Sequence, residues 1–247
     1  NNVLVLFKKK KITLENIFSI FIIIFITYKI NRYSSFGNDA IAHLSFFYLV
    51  SKILSTKKPN LQFISLLSVF TFLNKTMMII ALLIPIVFFI KKFNKKNLKI
   101  FYSLSSFFFF LWILKNIIIS GCAVYPIKYT CLEKLNWTDV KEVKKESISG
   151  EAWSKDWPNR VDQDISMEKY TSNFNWVRSW LNNHGIIFAK IIFPYLFLIF
   201  ILNFFLLKKV TYQYFLIEKN KNFKILITIS VLGTLLFLLK FPLYRYG

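Results

Sequence analysis

Four ionisable groups in this chain stand in or beside apolar sequence, and they are the residues whose types could do chemistry. Asp39 follows directly on an apolar stretch, in the run Gly37-Asn38-Asp39-Ala40. A carboxylate at such an exit can act as a general base, taking the proton from an attacking hydroxyl. The other reading is local: Asn38 or Asp39 caps the helix that begins at Ala40, its oxygen accepting from a free backbone N–H. His43 lies four residues on, on the same helical face as Asp39. It either bonds that carboxylate, joins it on a metal, or is a plain interfacial histidine. Lys75 sits inside Leu61–Ile90, thirty nearly continuous apolar residues. A charge there costs about 2.5–3.5 kcal/mol on insertion scales, so it faces a partner or a wet cavity, or snorkels to the interface. Arg245 stands between Tyr244 and Tyr246, a setting that suits an aromatic belt or bidentate phosphate recognition.

The elements that must position these groups are read from the apolar blocks. Ile17–Tyr28, Phe63–Ile90, Phe107–Ile119, Ile186–Leu207 and Ile225–Phe241 are each bracketed by lysines or by a polar loop. A spanning helix needs roughly 20 apolar residues and no polar face. The pattern predicts an all-α, polytopic transmembrane helix bundle of about 5–7 membrane segments, with residues 120–185 as one large extracytoplasmic loop. Basic flanks at both ends of Leu61–Ile90 favour two short arms with Asn74-Lys75 at the apex over one long tilted helix. The whole of 1–247 reads as a single transmembrane domain. It starts at Asn1 without Met and ends just past an apolar run, as an internal piece of a longer protein would.

Charge orients the bundle. The clusters Lys8–Lys11, Lys57–Lys58, Lys91–Lys99 and Lys208–Lys224 mark the cytoplasmic side. Segment 120–185 holds nine of the twelve acidic residues and nine basic ones, a net charge of zero, as suits the opposite side. Asp39, Lys75, the loop and Arg245 are thereby expected on one face, the exterior of a bacterial inner membrane. The net charge of +21 does not indicate nucleic acid, because the lysines cluster at helix ends and only four residues are Arg. Six glycines leave no phosphate-cradling loop, and no zinc motif is present. Cys122 and Cys131, nine apart in the external loop, are candidates for a disulfide. The Trp residues of that loop suit either interfacial anchoring or stacking on sugar rings, and Glu142–Glu151 suits a short amphipathic helix.

Several segments together resemble a known superfamily. Trp112 to Pro126 resembles the W-x-x-[RK]-N-x-x-x-[ST]-G-N-P-x-[YF]-P segment of polytopic glycosyltransferases of the GT-C superfamily, which use lipid-linked sugar donors. Pro242-Leu243-Tyr244-Arg245-Tyr246 looks like their later P-x-x-R-Y helix end, and Gly37-Asn38-Asp39 occupies the place of their first-loop acid. More narrowly, Gly37–His43 and Ser120-Gly121-Cys122 with Cys131 resemble a group of uncharacterised bacterial membrane proteins. The likeness covers most of residues 12–247. It implies transfer of a sugar from a polyprenyl-phosphate donor to a glycan or lipid acceptor. Asp39 would be the catalytic base, and Asn38, His43, Lys75, Asn116, Tyr125 and Arg245 substrate-binding residues. The sequence departs from the pattern at Cys122-Ala123, where Asn-Pro is usual, and has one acid in the first loop rather than a pair. No cofactor is indicated, and a divalent metal requirement stays open. A transporter or flippase of lipid-linked saccharides, or a membrane scaffold, is the competing expectation.

Overall fold

The computed structural model describes residues 14–33, 37–56, 60–91, 98–209, 221–240 and 242. Among them every regular element is helical. The apolar blocks become α1 (Leu14–Tyr33), α2 (Asp39–Ser55), α3 (Leu61–Asn74), a 3-10 segment (Thr76–Leu82), α4 (Leu83–Lys91) and α5 (Leu98–Ser120). The polar middle supplies α6 (Val140–Ser154) and α7 (Met167–Thr171), and two long helices follow, α8 (Val177–Lys209) and α9 (Lys221–Lys240). Among the described residues, two stretches are long and apolar enough to cross a membrane: Val177–Ile201 and Asn222–Lys240, of 25 and 19 residues. Glu15–Thr27, Leu61–Asn74, Thr76–Ile90 and Leu104–Ser120 are shorter apolar helices.

The chain divides into two compact units, residues 1–107 with 197–232, and residues 108–196 with 233–247. In the first, α2 and α3 are the most closely packed pair. Ser65, Ser68 and Thr71 recur every third residue along α3 and are buried, as is Ala42 on α2. Small residues on facing helices let the backbones approach closely. The Thr71 hydroxyl lies 3.0 Å from the Ser45 hydroxyl and 2.8 Å from the Leu67 carbonyl oxygen. On the other side of α2, the Ser51 hydroxyl reaches Glu15 of α1 at 3.4 Å.

The thirty-residue apolar stretch breaks at Lys75, whose backbone is extended (φ −151°, ψ 109°). α4 then packs back beside α3, and Ile64, Ile84 and Phe88 share one core with Leu49, Val50 and Ile53 of α2 and with Ile225, Leu226 and Ile229 of α9. At 1.5 Å per residue, the fourteen residues of α3 reach only about 21 Å, so this is a hairpin of two short arms with Lys75 at its tip. At the far end of α2, the Asn222 side chain donates to the Thr56 carbonyl at 3.4 Å.

The second unit gathers the C-terminal end of α5, the loop elements, the start of α8 and the end of α9. Its core is aromatic: Tyr170, Trp176 and Trp180 are buried, with Trp157, Ile165, Val177 and Phe188 packed on them. Segment 120–185 is less loop than its polarity suggests. α8 begins at Val177 rather than near Ile186, because Ser179 and Trp180 are buried on its first turns against the folded segment before it. Gly185 lies inside that helix; a Cβ there would meet only Leu181, at 3.9 Å. α6 is capped by Asp139, whose side chain accepts from the backbone N–H of Lys141 and Glu142.

Gly121 ends α5 in the left-handed region, φ +73°, its N–H bonded to the Ile117 carbonyl at 2.8 Å. A Cβ added there would collide with the Thr138 side chain. Gly121→Ala is therefore expected to cost about 2 kcal/mol or more from the backbone conformation and the clash together. Gly150→Ala, in open space within α6, should instead stabilise by about 0.5–1 kcal/mol. Thermal unfolding monitored by circular dichroism would read opposite shifts for the two variants.

Candidate active site

Asp39 is the first residue of α2, where the unpaired N–H groups and the helix dipole favour a negative side chain. Lys75, at the hairpin tip, donates from its ammonium to Asp39 Oδ1 in a direct ion pair. The Asp39 side chain is 16% exposed and that of Lys75 12%, so the pair is largely withdrawn from water. The local sequence explains the meeting. α2 and α3 run antiparallel with Thr71 opposite Ser45, which carries the hairpin tip to the beginning of α2. The chain can break there because the Lys75 N–H still finds the Thr71 carbonyl at 3.2 Å, and the Asn74 side chain donates to Phe70 at 2.8 Å.

The remaining predicted residues divide. Asn38 stands at the N-cap position with αR backbone angles (φ −76°, ψ −1°) and its side chain makes no capping bond. The cap reading of Asn38 is thus replaced by an exposed amide beside the ion pair. His43, one turn on, is buried and meets the Phe25 ring of α1 edge-on, 5.8 Å between centroids. Asn116 and Tyr125 belong to the second unit. The Asn116 side chain donates to the Ala123 carbonyl at 3.3 Å and so joins α5 to the following segment, while Tyr125 is exposed. Cys122 and Cys131 are joined by a disulfide. Arg245 lies outside the described residues. Among the described residues, no three His, Cys, Asp or Glu side chains gather to hold a metal ion.

A second polar cluster is absent from the sequence-based expectations. Asp156 is buried, with a left-handed backbone (φ 66°). Its carboxylate accepts from Asn159 at 2.8 Å, Asn183 at 2.6 Å and His184 Nε2 at 3.2 Å. Beside it, the ammonium of Lys155 is buried, pairs with Glu151 at 2.6 Å and lies 5.1 Å from the centre of the Trp176 ring. Asn183 and His184 stand in the polar stretch that reads as loop, so their helical spacing is invisible until α8 is known to start at Val177. His184 Nδ1 is buried, and the cluster therefore fastens α8 to the loop elements rather than presenting a base to solvent.

Tyr170 completes this core by donating its hydroxyl to the Lys155 carbonyl at 2.7 Å. Burial, with help from the charge of Asp156, pushes its phenol above the ordinary tyrosine range. Contact with Ser179 and the charge of Arg160 pull the other way. The folded state thus favours the neutral phenol. The stability this gives is complete below about pH 10 and is lost as pH rises through the raised value.

Two predictions follow from these geometries. Asp39→Asn removes the carboxylate bonded to the half-buried Lys75 ammonium and is expected to cost about 1–3 kcal/mol, part of it recovered in the double variant Asp39→Asn/Lys75→Met. Denaturant titration of the two single variants and the double one measures the coupling. Tyr170→Phe should cost about 1 kcal/mol at neutral pH for the lost hydrogen bond. It should also flatten the loss of stability in alkali, read from unfolding curves at stepped pH.

The chain belongs to the family described as Domain of unknown function (DUF8201), which matches residues 2–247. No curated protein and no solved structure matches it.

Proposed function

We propose that this DUF8201 chain is a multi-pass membrane glycosyltransferase of GT-C type. It transfers a sugar from a polyprenyl-phosphate donor to a glycan or lipid acceptor at the extracytoplasmic face of a bacterial inner membrane. The observation that carries the reading is the half-buried Asp39–Lys75 ion pair at the start of α2. The membrane part draws support from α8 and α9, whose apolar side chains, among them Ile186, Phe193, Phe197, Phe200 and Leu235, are exposed. Such a surface suits lipid and is costly in water.

In this mechanism the acceptor hydroxyl attacks the anomeric carbon as Asp39 takes its proton. The bond from that carbon to the phosphate oxygen breaks, the polyprenyl phosphate leaves with the electron pair, and the configuration inverts. The geometry offers a reason for pairing the base with a lysine. As Asp39 becomes neutral it loses its hold on the ammonium while negative charge grows on the leaving phosphate. Lys75 can therefore exchange one partner for the other at the moment of transfer, which is stabilisation realised in the transition state. Asn38 and His43 lie within a turn of the base. Arg245 is assigned to the phosphate from sequence alone.

The hairpin broken at Lys75 also favours a second reading, a flippase of lipid-linked saccharides, because interrupted helices line transport sites. Reconstitution of the full-length protein with labelled donor separates the two, since a transferase consumes the donor and a flippase moves it intact. For the transferase, Asp39→Asn should lower turnover by about 10²–10⁴-fold, with the helical circular dichroism retained. Lys75→Met should raise KM for the donor. Unchanged turnover in Asp39→Asn would overturn the assignment of the base.

A further inference from the structure

The segment that follows α5, Gly121–Thr138, is held rigidly, yet its surface is apolar. The disulfide closes it between Cys122 and Cys131. The Leu132 N–H bonds to the Gly121 carbonyl at 2.8 Å and the Ala123 N–H to the Thr130 carbonyl at 2.9 Å. The Thr130 hydroxyl lies 3.0 Å from both the N–H and the carbonyl oxygen of Val124. On this frame Tyr125, Ile127, Tyr129, Leu132 and Trp137 are exposed, Tyr129 to 86%. A mobile loop could fold such side chains inward. This one is braced so that they stay out.

Three observations identify what covers them. The exposed side chains include two tyrosines and a tryptophan, the residues that settle at the headgroup level of a bilayer. The Trp137 indole N–H already donates to the Ile117 carbonyl at 3.2 Å, so its exposed ring offers an apolar face. The surface is also continuous with α5, whose Ile118 and Ile119, 63% and 71% exposed, lead directly into the segment. Charge plays little part: Lys128, Glu133 and Lys134 leave the segment with a net charge of only +1. The Lys128 ammonium lies 4.8 Å from the centre of the Tyr129 ring, as for a stem that follows the ring while its head stays wet.

We propose that the disulfide-closed segment Cys122–Trp137 is an interfacial wedge. It is seated among lipid headgroups with the rings of Tyr129 and Trp137 directed toward the acyl chains. The inference rests on the membrane part of the reading above and is independent of its chemistry. The full-length protein is reconstituted in phosphatidylethanolamine–phosphatidylglycerol vesicles with the native disulfide intact. A single nitroxide is attached through Tyr129→Cys, Lys145→Cys or Phe200→Cys, and collision with oxygen is compared with collision with a water-soluble nickel chelate. Site 129 should be several-fold less accessible to nickel than site 145 on α6, and site 200 on α8 less accessible still. Site 129 as open to nickel as site 145, with site 200 shielded, would overturn the wedge and leave the membrane reading intact. Nickel access at all three sites would overturn both. Replacing phosphatidylglycerol with phosphatidylcholine should leave site 129 shielded, and exposure on that change would overturn the apolar basis of the contact.

Discussion

The Asp39–Lys75 ion pair is the constraint on which the first unit depends. A lysine within thirty apolar residues must find a partner, and a carboxylate at the first residue of α2 supplies one. Meeting it forces the apolar stretch to break at Lys75, which turns one long helix into two short arms. The break in turn requires α3 to lie against α2 closely enough for the tip to reach. The buried Ser65, Ser68, Thr71 and Ala42 allow that approach. Chemistry and architecture are therefore hard to separate at this position, because the pair that could handle a proton also decides where the chain turns.

Much of the helical plan was legible in the sequence, for a physical reason. Continuous apolar blocks leave the backbone no polar neighbours, so each block must satisfy its own N–H and C=O groups as a helix. The helix expected from Ala40 begins one residue earlier, at Asp39, whereas α5 and α9 begin nine and four residues before the apolar blocks Phe107–Ile119 and Ile225–Phe241. The break at Asn74-Lys75 was readable from basic residues flanking both ends of an apolar stretch too long for one crossing and too short for two full ones. The number of crossings was less legible: among the described residues, only Val177–Ile201 and Asn222–Lys240 pass on length and composition.

The second unit was largely illegible. Asn183 and His184 precede the apolar run of α8 in a stretch whose polarity suggests a loop, yet they are helical and bind Asp156, 27 and 28 residues earlier. No periodicity announces a partner at that distance, and a left-handed aspartate carries no local signature beyond its tolerance of the conformation. The tryptophans were visible as a group, but their division was not. Trp176 and Trp180 form the core while Trp137 and Trp153 face outward, because only tertiary packing distinguishes them.

The end of α9 returns to the loop elements through contacts that span much of the chain. The Trp180 indole donates to the Pro242 carbonyl at 2.6 Å, across 62 residues, and the Ser154 hydroxyl donates to the Lys240 carbonyl at 3.1 Å, across 86. Lys240 also pairs with Glu151 at 3.1 Å. During synthesis from the N-terminus, the disulfide, whose cysteines are nine positions apart, can close early, whereas Trp180 and Ser154 wait for α9 to arrive. The aromatic core of the second unit is therefore completed only after α9 has been made. Its completion reports that α9 has docked on the loop elements of that unit.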